Sequence, residues 1–190
     1  MKTFDEALEA LLSKAVLTAQ TEAQPIESAL GRILAQDITS AQNVPPYPNS
    51  MMDGYAVRAS DVEAIKAGDT FKISQRIAAG SMGQYLESGT IARIFTGAMM
   101  PEGADSVIMQ EEAMEVEGGV RFSLSSFQSA QNVRQIGEDI AKGDVILSKG
   151  HKLRAQDLGL IASIGIAEVL VFQPLTIATF TTGDELLEPG

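Results

Sequence analysis

Residues 90–112, TIARIFTGAMMPEGADSVIMQEE, hold two short runs, Thr90–Thr96 and Asp105–Glu111, separated by a Pro-x-Gly turn at Pro101-Glu102-Gly103. Short β-branched or alternating runs bounded by glycine and proline read as strands. Outward from this stretch the pattern repeats, with FKISQRI (71–77) upstream and VRFSLSS (120–126) downstream. The breaks between runs carry GS, EGAD and EGG, which are turn chemistry. From about Gly54 to Phe127 this predicts a compact antiparallel β module, a barrel or a sandwich, with few aromatic residues to fill a large core.

The flanks are different. TFDEALEALLSKAV opens with Thr3 as an N-cap and Glu6 three residues on, a capping box, and Phe4, Leu8, Leu11, Leu12 and Ala15 share one helical face. A second helix is expected to start at Pro25 and to turn Ile26, Leu30, Ile33 and Leu34 inward. From Asn43 the prolines Pro45, Pro46 and Pro48 impose an extended segment ending at Asn49-Ser50. After Ile140, GDVILSKG leads to a helix over Gln156–Ile164 and a buried strand in VLVF. The last segment, PLTIATFTTGDELLEPG, reads as a buried strand at Thr176–Phe180 and a turn into a helix, the way a parallel α/β domain opens. Seventeen residues cannot build such a domain, so the chain is expected to be truncated.

Composition narrows the chemistry. The 190 residues carry 14 basic and 25 acidic side chains, a net charge of −11, which repels nucleic-acid backbones. There is no cysteine and one histidine, His151, so thiol catalysis, iron–sulfur clusters and multi-histidine metal sites are excluded. Asp5, Glu6 and Glu9 stand where a signal peptide would be basic and apolar, and Leu158–Ala167 is far shorter than the ~18 residues of a membrane span. A cytoplasmic protein is expected. No dinucleotide fingerprint, P-loop, zinc-protease or nucleophile-elbow motif occurs.

Four polar clusters remain. In NSMMDGYAVR (49–58), Asp53-Gly54 suits a tight hairpin turn, or Asp53 with its polar neighbours belongs to a site. In the 93–112 stretch, Thr96-Gly97-Ala98 is either a plain loop or a place where backbone amides face an anion, with Glu111, Glu112, Glu115 and Glu117 as a solvated rim. In NVRQIGEDI (132–140), Arg134 forms a structural ion pair with Glu138 or Asp139, or these groups act as an anion clamp and hard-cation ligands. In TTGDEL (181–186), Asp184 and Glu185 cap a helix or are active-site carboxylates. All four offer oxygen ligands only, the chemistry of a magnesium-like ion, which would make a phosphate or oxyanion welcome beside so many acids.

The four motifs, NSMMDGYAVR, IFTGAMMPEGADSVIMQEE, NVRQIGEDI and TTGDEL, stand in the order and near the spacing of the MoeA family of molybdopterin molybdenumtransferases, related to the E domain of gephyrin. The resemblance covers essentially the whole chain. It implies insertion of molybdenum from molybdate into adenylated molybdopterin with Mg²⁺, releasing AMP. Asp53, Thr96, Asp139 and Glu185 would be the catalytic residues; Ser50, Gly97, Ala98, Arg134 and Asp184 would bind the cofactor substrate; Asp53, Asp139 and Glu185 would hold the metal. It also implies an α+β, mainly β, multi-domain fold. An elongated dimerisation-type domain (1–40 and 139–172) carries an inserted β-barrel-like domain (41–138). Residues 173–190 are the start of a truncated α/β molybdopterin-binding domain. Homodimers and contact with the molybdopterin adenylyltransferase are implied as well. Met51 stands where the family commonly has alanine and Thr181 where it commonly has serine; the main departure is length, so this piece alone is expected to be inactive. Two other readings compete: a non-catalytic scaffold of the gephyrin type, and a phosphate-ester hydrolase built on the same carboxylates.

Overall fold

The structure, a computed structural model, describes residues 3–14, 20–179, 183 and 185. In chain order its helices are α1 (Phe4–Leu12), α2 (Val62–Lys66) and α3 (Ala155–Ser163). Its strands are β1 (Thr21–Pro25), β2 (Ile38–Thr39), β3 (Asn49–Ser50), β4 (Gly54–Val57), β5 (Lys72–Ile77), β6 (Thr90–Ile94), β7 (Ser106–Met109), β8 (Ala113–Val116), β9 (Gly119–Phe122), β10 (Val133–Arg134), β11 (Val145–Leu147) and β12 (Glu168–Phe172). They fall into two compact units, Met1–Ile38 with Val145–Gly190, and Thr39–Asp144.

The Thr39–Asp144 unit is built on a four-stranded sheet in the order β5-β6-β4-β7. Side chains alternate across a strand, and here both faces are covered. On β4, Tyr55 and Val57 join a buried cluster with Ile91, Ile108, Phe71 and Phe122, while Ala56 faces a second one with Ala92, Ile94, Val107 and Leu86. Every residue of β4 is therefore buried. Each fully buried Ile, Val or Leu contributes roughly 1.5–3 kcal/mol. The Tyr55 and Phe122 rings meet edge to face at 5.7 Å between centroids, the favoured aromatic geometry. β8 and β9 form a hairpin closed at Val116↔Gly119.

All four runs read from the sequence are strands, but they do not close. No barrel forms among the described residues; the sheet is open and mixed, with β5 parallel to β6. The physical reason lies in residues 78–89, a connection too long for a hairpin and long enough to cross over, which a parallel pair requires. The Asp53-Gly54 hairpin is also absent. β3 and β4 flank Asp53 without pairing: β3 pairs with β10, and β4 lies between β6 and β7. Gly54 is needed for a different reason. A Cβ there would run into the Ile108 carbonyl oxygen and lie 3.0 Å from its carbon and 3.1 Å from Met109 Cα.

In the other unit β1 pairs antiparallel with β12, from Thr21↔Phe172 to Pro25↔Glu168. Leu34, Leu153, Ile161 and Val171 are its buried side chains of largest consequence. The helix expected from Pro25 is not there: Pro25 ends β1, and Ile26–Ser28 makes a single 3₁₀ turn. Proline suits a helix start, but it suits the end of an edge strand equally. Thr176–Thr179 carries no strand and is exposed, because no described segment pairs with it, and Phe180 lies outside the described residues. The α1 capping box is present: Glu6 N–H donates to Thr3 Oγ1 at 3.3 Å and Thr3 N–H donates to Glu6 Oε2 at 2.8 Å. α3 matches its expected span. At its start Asp157, buried, accepts from the Arg154 backbone N–H (2.8 Å) and guanidinium (both 3.0 Å), and its Oδ2 lies 2.7 Å from His151 Nε2. His151 is thus a structural partner.

Three expectations follow. Gly54→Ala should lower the urea midpoint by the equivalent of about 1–3 kcal/mol, the cost of overpacking against fixed backbone. Gly159→Ala, at an exposed position of α3 with open space at its Cβ, should raise it by the equivalent of about 0.5–1 kcal/mol. Arg154 and His151 hold the Asp157 carboxyl well below the usual carboxylate range. A depressed acid contributes stability that is present above its unfolded value near pH 4 and is lost as the pH falls towards its folded value. Asp157→Asn should therefore lower the melting temperature by about 5 °C at pH 7, with the gap from wild type narrowing below about pH 4; a gap constant from pH 7 to pH 2.5 would contradict this.

Candidate functional site

Three of the four polar clusters meet at β3. On one side, Ser50 N–H donates to Ala98 O and Gly97 N–H donates to Ser50 O, both at 2.9 Å. On the other, β3 pairs with β10 at Val133↔Ser50 and Arg134↔Asn49, and Met51 N–H donates to Asn132 O at 2.9 Å. Asn132 adopts a left-handed backbone (φ 56°), which asparagine tolerates, and its amide donates to Val107 O at 2.9 Å. A two-residue strand thereby ties the NSMMDG, TGA and NVR segments into one surface.

Asp53 leaves β3 toward Thr96. The Thr96 N–H and hydroxyl both donate to Asp53 Oδ1, at 2.8 and 2.7 Å. The Thr96 amide, its hydroxyl and the charge of Arg93 together hold the Asp53 carboxyl below its ordinary value. Oδ2 takes part in none of the described hydrogen bonds. Asp53 is therefore an ionised, half-buried carboxylate, fixed through one oxygen and open at the other.

The Thr96-Gly97-Ala98 turn is not an amide cradle. Thr96 N–H goes to Asp53, Gly97 N–H to Ser50 O, and Ala98 N–H to Phe95 O at 2.9 Å. All three donors face inward, so the turn positions Asp53 and offers no free amide to an anion. Gly97 takes φ +79°, which L side chains resist. Ala98 is buried, and the buried Ser50 hydroxyl donates to Met52 O at 2.6 Å.

Arg134 pairs with Asp139 and lies 3.6 Å from Glu138, the ion pair that the sequence allowed. The Asp139 and Ile140 N–H groups donate to Val44 O, which seats the GED turn against the proline-rich segment. Among the described residues no three carboxylates or imidazoles gather closely enough to hold a metal ion. Glu185 is exposed, and Thr181 and Asp184 lie outside the described residues.

Two arginines were not singled out in the sequence. Arg93 donates to Gly54 O (2.7 Å), Ile94 O (3.1 Å) and the Gln110 side chain (2.6 Å), and stacks 4.5 Å from the Phe95 ring centroid. Arg76, its register partner on β5, stacks on the same ring at 4.5 Å. Alternation in TIARIF could have flagged Arg93. Nothing local marks Arg76, because a parallel register cannot be read from one strand.

The model of the MoeA N-terminal region (domain I and II) matches residues 2–165. A Haemophilus influenzae protein named molybdopterin molybdenumtransferase is 43% identical over 192 residues, covering 100% of this chain and 46% of its own length. A Bacillus subtilis protein of the same name is 39% identical over 183 residues, covering 90% and 43%. Two crystal structures of a molybdopterin biosynthesis MoeA protein from Pyrococcus horikoshii match at TM-scores of 0.79 and 0.80, with 36% and 34% identity, over 88% of this chain and 43% and 45% of theirs. The chain spans about half the length of the curated relatives it matches. It belongs to the MoeA family and corresponds to that family's N-terminal region.

Proposed function

We propose that this chain supplies one wall of a molybdopterin molybdenumtransferase site, in which molybdenum from molybdate enters adenylated molybdopterin and AMP leaves. The carrying observation is the convergence on β3, which presents Asp53 as a fixed carboxylate with one open oxygen. The names of the relatives support the same reading. Asp53 Oδ2 accepts a hydrogen bond or a proton at the reacting centre, while Thr96 sets its direction. Asp139, held by Arg134, is the second acid; Ser50, Gly97 and Ala98 shape the wall; Asp184 and Glu185 belong to the remaining contribution. Mg²⁺, when bound to the carboxylates Asp53, Asp139 and Glu185, would polarise the phosphoanhydride.

The proposal extends to a cytoplasmic homodimer that receives its substrate from the molybdopterin adenylyltransferase. No described helix is long and apolar enough to cross a membrane. A scaffold role is the second reading. It is favoured by α1, which buries nothing and leaves Phe4, Leu11 and Leu12 exposed.

The test is molybdate-dependent AMP release from adenylated molybdopterin, comparing this chain with a version extended to the length of its relatives. The extended protein should turn over and the 190-residue chain should not. In the extended protein, Asp53→Asn and Asp139→Asn should each cost about 10²–10³-fold in kcat while leaving the melting curve in place. No AMP release from a folded extended protein would put the scaffold reading first. Thr96→Val removes one of the two hydrogen bonds that lower the Asp53 pKa. Its acid limb in kcat/KM should therefore move to higher pH, with a loss of about tenfold near neutrality; an unmoved limb would detach Thr96 from Asp53.

A further inference from the structure

Asp53 is gripped through its backbone as well as through Thr96. The N–H of Gln110, the residue after β7, donates to the Asp53 carbonyl at 3.0 Å. The next carbonyl, Gly54 O, accepts from one arm of the Arg93 guanidinium at 2.7 Å. The two grips are joined, because the other arm of Arg93 donates to Gln110 Oε1 at 2.6 Å. Asp53, Gly54, Arg93 and Gln110 thus close a ring of hydrogen bonds across β6, β4 and the end of β7.

Arg93 is itself immobilised. It is half-buried on β6 and stands opposite Tyr55 in register, with its guanidinium carbon 5.1 Å from the Tyr55 ring centroid and 4.5 Å from that of Phe95. Stacking on aromatic faces leaves a guanidinium little freedom to turn. All its described acceptors are neutral, namely the Gly54 and Ile94 carbonyls and the Gln110 side-chain amide. None of the described ion pairs includes it, in a chain with 25 acidic side chains. An arginine spent on neutral acceptors serves through its shape: the rigid planar fork holds two acceptors at a fixed angle, which the single ammonium of lysine does not.

We propose that Arg93, together with Gln110, is a positioning residue for Asp53. Its fork fixes the backbone on either side of the Asp53–Gly54 peptide, so that Oδ2 keeps one direction, and Arg93 itself makes no contact with substrate. This deepens the transferase reading and rests on it. An arginine that only closed the open end of the Tyr55 cluster would contribute to stability and would act independently of the Asp53 carboxylate.

The experiment is a double-mutant cycle in the extended protein, read by AMP release. Arg93→Lys and the exposed-site variant Gln110→Ala should each lower kcat about tenfold and move KM by less than about twofold, because a misaimed group weakens the reacting geometry more than binding. In an Asp53→Asn background the same substitutions should cost nothing further, since the group they aim is gone. Equal losses in both backgrounds, or a lowered melting temperature with kcat intact, would overturn the inference. A readout without turnover comes from amide hydrogen exchange in the 190-residue chain. Gln110→Ala should speed exchange at Thr96, whose amide donates to Asp53, by about tenfold and leave the core amides of Ala56 and Ala92 unchanged; unchanged exchange at Thr96 would also overturn it. If the folded extended protein releases no AMP, the transferase reading fails alone, and exchange at Thr96 still decides whether Arg93 and Gln110 hold Asp53.

Discussion

The Gly54–Val57 strand is confined on every side: β6 and β7 run along its two edges, and side-chain clusters cover both faces. A backbone squeezed this way must pair every amide and carbonyl, because none can reach water. It also has no room at Gly54 for even a methyl group next to the Ile108 carbonyl. That crowding fixes where the chain enters β4, and therefore where Asp53 stands. The acid is placed by the strand that follows it and held by Thr96, which leaves β6, the neighbour of that strand. Core and candidate site are consequently consecutive parts of one constraint.

The polar groups around Asp53 illustrate how a surface becomes directional. The TGA amides, the Ser50 hydroxyl and the Arg93 fork all point inward and are satisfied by the protein, which stiffens the turn. What remains outward is small: one oxygen of Asp53 and the Arg76 guanidinium. Each is a group whose neighbours immobilise it without neutralising it, and preorganised polarity of this kind is what a charged ligand can use.

Much of this was legible in the sequence, and the failures have physical causes. FKISQRI, TIARIFT, DSVIMQE and VRFSLSS were readable as strands because period and punctuation are local properties. The Thr3–Glu6 capping box and the α3 span were readable for the same reason. Pro25 misled because its neighbours pair with residues 168–172, far along the chain, and tertiary pairing overrode a local helix preference. The open, mixed sheet was hidden because parallel register depends on how residues 78–89 cross over. Asp53-Gly54 looked like a turn, whereas the glycine answers to a carbonyl on another strand. At the site, the clusters of polar residues were visible, but their mutual bonds were not: the inward turn of the TGA amides and the stacking of Arg76 exist only once β5 and β6 lie side by side.

The nesting of one unit within the other has a consequence for synthesis. The inner segment, Thr39–Asp144, contains all the strands of its sheet and can be completed while the remainder is still to be made. β1 cannot: its partner begins at Glu168, so an early-made strand must wait on the ribosome with its edge unpaired until the inner unit has emerged. Exposed edges invite pairing with other chains. The short, polar Thr21–Gln24 sequence ending in proline keeps that waiting edge a poor template for neighbouring nascent chains.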